Sequence, residues 1–268
     1  MNSLAAASPR YTALAILLAL AMIPVFGAAA LDTRLFQGID VWIKPLKFLT
    51  ALVIYLLTIA WFARYAAPEI TGRAWWRWYE RAIVVGVLLE MIWIGGAAAM
   101  GVGSHFNRST PAMGAIYGLM GFAALLLTSS SLTLAWAIHR NKNSTLPPAM
   151  RTGLVWGLTL TFVLTAVTAS RLSMMGSHWI GGEASDAGGL MFFGWARDGG
   201  DLRVAHFFAT HAMHAVPLAA LLCVPLFGGA AVAPVRALAL AYAAFVGFTM
   251  VQAQLGQPFL PGLTALFP

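Results

Sequence analysis

Three histidines stand within nine residues of one apolar run, His206, His211 and His214 in GDLRVAHFFATHAMHAVP. A neutral imidazole donates from one ring nitrogen and accepts or ligates through the other, so this run suits a metal ligand set or a proton relay. On an ideal helix Arg203, His206, Thr210 and His214 share a stripe about 80° wide, with His211 about 60° from His214. Pro217 removes a backbone donor and crowds the carbonyl of Met213, which predicts a kink one turn beyond the histidines.

Two further imidazoles are expected at the outer side of a membrane together with His206: His105 in GVGSHFNR and His178 in SHW. Neutral imidazoles with an open coordination position suit zinc, copper or iron, and His105, His178, His206 and His211 form the candidate metal set. Asp198 and Asp201 are candidates to orient those rings. Lys44 and Lys47 in WIKPLKF share a helical face with Tyr55 and Thr58, and Pro45 suits a first helical turn. With Asn107, Arg108 and Arg203 they define a candidate basic pocket for a carboxylate, a phosphate or a haem propionate. The competing reading is that the long cationic chains snorkel to the interface. Glu90 is the one acid expected deep in the membrane, roughly 12 Å from its inner boundary by helical rise. It would form a proton path with His214 if the third and sixth spans pack together. Glu90, Arg203 and Asp201 are therefore the catalytic candidates. Lys44, Lys47, Asn107, Arg108, His211 and His214 are the candidates for holding a cofactor.

The elements that must position these groups are membrane helices. The chain has 268 residues, 60% hydrophobic and 9% charged, with mean hydropathy +0.79. A soluble domain is about a quarter charged, so soluble, disordered and fibrous folds are excluded. Apolar runs at about 11–31, 46–63, 82–103, 112–138, 152–172, 204–226 and 236–255 predict seven spans of an all-α polytopic bundle. They form one integral membrane domain over 1–268, with one long outer loop at about 176–203, made irregular by three Gly-Gly pairs. The first run is read as a retained span rather than a cleaved signal, despite Ala28-Ala29-Ala30.

The net charge of +7, from 16 Lys and Arg against 9 Asp and Glu, is scattered between apolar runs and reports topology, not nucleic-acid binding. The cations concentrate at Arg10, Arg64 to Arg81, Arg140 to Arg151 and Arg236, which favours a cytoplasmic N-terminus and an outside C-terminus. Trp75, Trp76, Trp78 and Tyr79 read as an interface anchor on the inner side. The lone Cys223 rules out an intramolecular disulfide and a multi-cysteine metal site. Nucleotide-binding loops and a serine elbow are missing, and the seventh span has no lysine for a retinal Schiff base.

The motifs WIKPLKF, SHFN and GDLRVAHFFATHA, with a late Gly-Gln-Pro, resemble an uncharacterised family of bacterial multi-pass membrane proteins. The resemblance covers nearly the whole chain and implies residence in the bacterial inner (plasma) membrane, but no particular activity. It implies that Trp42, Lys44, Pro45, Lys47, His105, Asn107, Asp201, Arg203, His206 and His211 occupy motif positions, and that glutamine often stands in place of His214. Three functions remain open. The first is a redox protein holding haem b or a transition metal (iron, copper or zinc) and exchanging electrons with a quinone or another lipid-soluble molecule. The second is a metal-dependent hydrolase acting on lipid, in which the metal would activate a water and Arg108 or Arg203 would neutralise a phosphate. The third is a small proton-coupled transporter.

Overall fold

In a computed structural model describing residues 4–190 and 192–261, seven helices are long and apolar enough to cross a membrane. They are Pro9–Leu31, Ile43–Tyr65, Ala74–Met100, Pro111–Arg140, Pro148–Met175, Ala212–Ala230 and Val232–Gln254. The chain is an all-α polytopic membrane protein. Many large apolar side chains within these helices are exposed, among them Ile23, Phe26, Ile92, Phe122, Leu222 and Phe248, as a lipid-facing surface requires. Internal contacts divide the chain into two compact units, Met1–Thr145 and Leu146–Pro268.

The first unit runs α1 (Leu4–Ala7), α2 (Pro9–Leu31), a hairpin of β1 (Leu35–Phe36) and β2 (Ile39–Asp40), α3 (Ile43–Phe62), α4 (Pro68–Thr71), α5 (Ala74–Met100) and α6 (Pro111–Arg140). The hairpin turns on Gln37 and Gly38, both at positive φ, as a two-residue connection matching the strand twist requires. Thr110 accepts from Met113 N at 3.2 Å and Pro111 follows it, so the start of α6 is fixed by a side-chain cap and a preset φ. Helix α5 begins at Ala74 rather than near 82. Its first turns carry the tryptophan clump expected in a loop. The charges there do not end the helix, because Glu80 is buried against Arg10 at 2.8 Å, and Arg81 lies over Trp78 with 4.6 Å to the ring centre.

The second unit runs α7 (Pro148–Met175), β3 (Trp179–Ile180), β4 (Gly200–Asp201), α8 (Leu202–Thr210), α9 (Ala212–Phe227) and α10 (Val232–Gln254). Gly153, Gly157, Thr161, Thr165 and Thr168 are buried along one face of α7. A Cβ at Gly153 would lie 2.6 Å from the Cβ of Ala220, and one at Gly157 only 2.9 Å from Cδ of Pro217. Small residues thus let α7 and α9 approach backbone to backbone, which is how membrane helices gain packing without a hydrophobic drive between them. Gly157→Leu should therefore lower the stability of the detergent-purified protein by about 1–3 kcal/mol through overpacking. Gly95→Ala, whose Cβ meets nothing within 4 Å, should be neutral or slightly stabilising. Equal thermal midpoints for the two variants would refute this close approach.

Candidate functional site

The imidazole row lies at a break in the sixth span. Helix α8 ends at Thr210, α9 starts at Ala212, and His211 between them has φ −93° and ψ 2°. Pro217, where the sequence predicts a kink, lies inside α9, six residues past the interruption at His211. The His211 amide donates to Phe207 O at 3.1 Å and to Phe208 O at 3.2 Å. The Phe208 carbonyl also accepts from the Tyr242 hydroxyl of α10 at 2.8 Å, so the break is held from outside its own helix.

Each of the first two imidazoles is held through its Nδ1. The Nδ1 of His211 lies 2.7 Å from the Phe207 carbonyl, an acceptor only, so Nδ1 carries the proton and Nε2 keeps its lone pair. The His211 ring stacks on Phe207 with centres 4.0 Å apart. The Nδ1 of His206 lies 3.1 Å from Thr168 Oγ1, and that hydroxyl gives its own proton to Leu164 O at 2.9 Å. With the Thr168 proton on that carbonyl, His206 donates from Nδ1 to Thr168 and keeps Nε2 as the open nitrogen. The rings of His211 and His214 are 5.3 Å apart. One turn below Thr168 on the same face of α7, Thr165 is buried, and its hydroxyl has no partner among the described residues. Thr161, Thr165 and Thr168 lie on the packing face of α7, and Thr168 also holds an imidazole.

Arg203 and Asp201, expected beside the histidines, are tied to the loop before α8. Asp201 caps α8 by accepting from Arg203 N at 2.9 Å, and it also accepts from Ala196 N at 3.0 Å. The Arg203 guanidinium donates to Asp201 Oδ2, to Asp186 Oδ1 and to Gly194 O, each at 2.7 Å. His178 Nε2 donates to the same Asp186 oxygen at 3.4 Å, while the His178 carbonyl accepts from Leu202 N at 2.9 Å. Asp186 was not singled out in the sequence, since it lies among glycines with no spacing that ties it to Arg203. Arg203 is thus neutralised by two carboxylates, and His178 serves a loop clasp rather than the row of His206 and His211. Helix formation set the Arg203 direction differently from the predicted stripe, because the Asp201 cap draws the guanidinium back past its own N-terminus.

Burial pushes the His178 imidazole below its usual pKa of 6.5, with the Asp186 hydrogen bond only partly offsetting it. Burial also opposes ionisation of Asp186, yet the His178 hydrogen bond and the Arg203 charge bring its carboxyl below the usual range. Both folded-state pKa values are depressed, so the unfolded chain binds more protons on acidification. Stability is present above the unfolded values and is lost first as pH falls below about 6.5 for His178. The drop in thermal midpoint between about pH 7.5 and 5.5 should be smaller in His178→Gln than in the wild type. Identical drops would remove His178 from the clasp.

In the first unit, Glu90 is buried in the middle of the stripe that runs from Trp76 to Ala97 on α5. It makes no hydrogen bond or ion pair among the described residues. Lys44 is half-buried and Lys47 exposed at the start of α3, and Tyr55 on the same helix reaches Ser130 Oγ at 3.0 Å. The Nδ1 of His105 lies 3.0 Å from Ser104 Oγ, and its ring centre is 5.2 Å from Phe48. Asn107 closes the local turn, donating to Gly103 O and accepting from the Ser109 amide and hydroxyl. Arg108 is exposed, with its guanidinium 5.4 Å from the Tyr117 ring centre. His105, Asn107 and Arg108 therefore share one loop beside the start of α3. Among the described residues, no group of three or more His, Cys, Asp and Glu side chains is placed to hold a metal ion.

Fold and site together define a multi-pass helical membrane protein with a histidine-bearing discontinuous span. The chain matches no protein-family model, no curated protein and no solved structure.

Proposed function

We propose that this chain is a redox-active integral membrane protein of the bacterial inner membrane, with its N-terminus cytoplasmic. His206 and His211 are its candidate ligands for haem b or for a redox-active iron or copper ion. The observation that supports this reading is that both rings are held through Nδ1, His206 by Thr168 Oγ1 and His211 by Phe207 O. Holding Nδ1 in this way leaves Nε2 as the ligating nitrogen, the arrangement that orients imidazole ligands toward a metal. A haem would supply one-electron chemistry at this site and needs only axial protein ligands, so the reading does not depend on a third metal-binding side chain. The chain's own part is to hold neutral imidazoles at the helix break. A quinone or another lipid-soluble molecule is the proposed electron partner. The test is an oxidised and a reduced absorption spectrum of the purified protein, with elemental analysis. A Soret band, or iron or copper near one per chain, supports the reading, and their loss in His211→Ala locates the centre.

A proton-coupled carrier is the second reading, favoured by the break itself. Transporters place substrate and ion sites at discontinuous helices, and here the break carries imidazoles while the partnerless carboxyl of Glu90 lies in another span. Uptake into proteoliposomes that is abolished by Glu90→Gln would favour this reading.

A further inference from the structure

Arg171 lies in the last turns of α7, one turn beyond Thr168. It makes no hydrogen bond, ion pair or ring contact among the described residues, and its Nε is buried without an acceptor. Two other half-buried arginines are met by carboxylates, Arg10 by Glu80 and Arg203 by Asp186 and Asp201. The acids of the adjoining loop are already engaged or directed to water. Asp186 and Asp201 go to Arg203, Asp198 accepts from Glu183 N at 2.7 Å, and Glu183 is exposed.

Four residues past the end of α7 stands a second buried donor without an acceptor, the indole Nε1 of Trp179. The left-handed cap at Gly176 turns the chain there. Trp179 is then paired with Asp201, the residue immediately before α8, while Thr168 on α7 contacts His206 of α8. Arg171 and Trp179 therefore both lie at the level of the first turn of α8. Guanidinium Nε–H and indole N–H are donors only. Within the Arg171 guanidinium it is Nε that is buried in this way, and a buried donor without an acceptor costs free energy until an acceptor arrives. One positive charge, two buried donors and a place at the end of a membrane span together specify an anionic oxygen ligand at headgroup depth.

We propose that Arg171 and Trp179 bind the phosphate of an anionic amphiphile at this end of α7, the guanidinium donating to one phosphate oxygen through Nε and the indole N–H to another. The fork geometry of arginine suits phosphate better than the point charge of lysine does. This site is separate from the imidazole row and stands whether or not that row binds a cofactor.

The test uses the full chain, delipidated in a neutral detergent, with the thermal midpoint followed against added phosphatidylglycerol, diacylglycerol or inorganic phosphate. Phosphatidylglycerol should raise the midpoint of the wild type, and diacylglycerol, which lacks the phosphate, should not. Arg171→Gln should weaken the apparent affinity for phosphatidylglycerol about tenfold, as loss of a charge-assisted hydrogen bond implies. Trp179→Phe should weaken it less, and Arg171→Lys should fall between wild type and Arg171→Gln. Equal protection by inorganic phosphate would support the phosphate site and make its ligand a free anion. Unchanged phosphatidylglycerol affinity in Arg171→Gln, or equal protection by diacylglycerol, overturns the proposal. If Arg171→Gln does not fold, unchanged affinity in both Arg171→Lys and Trp179→Phe does the same.

Discussion

Replacing Asp201 with alanine should cost about 3–5 kcal/mol of stability, the range for removing one partner of a buried ion pair. The carboxylate is 2% exposed and serves three donors at once: the α8 amide of Arg203, the Ala196 amide and the Arg203 guanidinium. Its loss removes a helix cap, worth about 1 kcal/mol alone, and leaves Arg203 with Asp186 as its sole carboxylate. The neighbouring Asp198 is exposed and accepts one amide, so Asp198→Ala should cost under about 1 kcal/mol. Denaturant unfolding in mild detergent separates the two. Similar costs for both variants would mean that the loop is not held through Asp201.

The second large effect is expected at the imidazole row. His206→Ala and His211→Ala should each remove a proposed ligand and with it most of the bound cofactor. Thr168→Val keeps the size of the side chain but removes the hydroxyl that holds His206 through Nδ1. Its expected effect is a 10- to 100-fold loss of cofactor affinity, the usual scale for a group that orients a metal-bound imidazole. His214→Gln should be mild, since neither Nδ1 contact of His206 and His211 involves His214. These outcomes form an ordering, with His206 and His211 most sensitive, Thr168 intermediate and His214 least. Measuring bound cofactor per chain in each purified variant checks it. If His214→Gln lost as much as His211→Ala, the ligands would have to be reassigned.

The spans were legible because membrane helices announce themselves by uninterrupted apolar length, and most boundaries differ by only a few residues from those read in the sequence. The start of α5 was not legible. Arg73, Arg77, Glu80 and Arg81 look like a loop, but Glu80 is satisfied by Arg10, 70 positions away, and a charge with a partner does not stop a helix. The break at His211 was hidden for a related reason: proline is the visible breaker, while the break itself is held by Tyr242 from α10. Within the site, the histidines and Arg203 stood out by type. Their partners did not. Thr168 lies 38 positions from His206 and Asp186 lies in a glycine-rich loop, and neither pairing follows a spacing rule. Helical-wheel arithmetic placed Arg203 in the imidazole stripe, and the capping geometry of Asp201 turned it away.

One measurement bears most directly on the imidazole row as a ligand site: oxidised-minus-reduced absorption spectra with metal analysis on wild type and His206→Ala/His211→Ala, purified side by side. The proposed function requires a redox-sensitive band with iron or copper near one per chain in the wild type, lost in the double variant while the helical circular dichroism is kept. A wild-type protein with no such band and no stoichiometric iron or copper, or a band undiminished in the double variant, would contradict it.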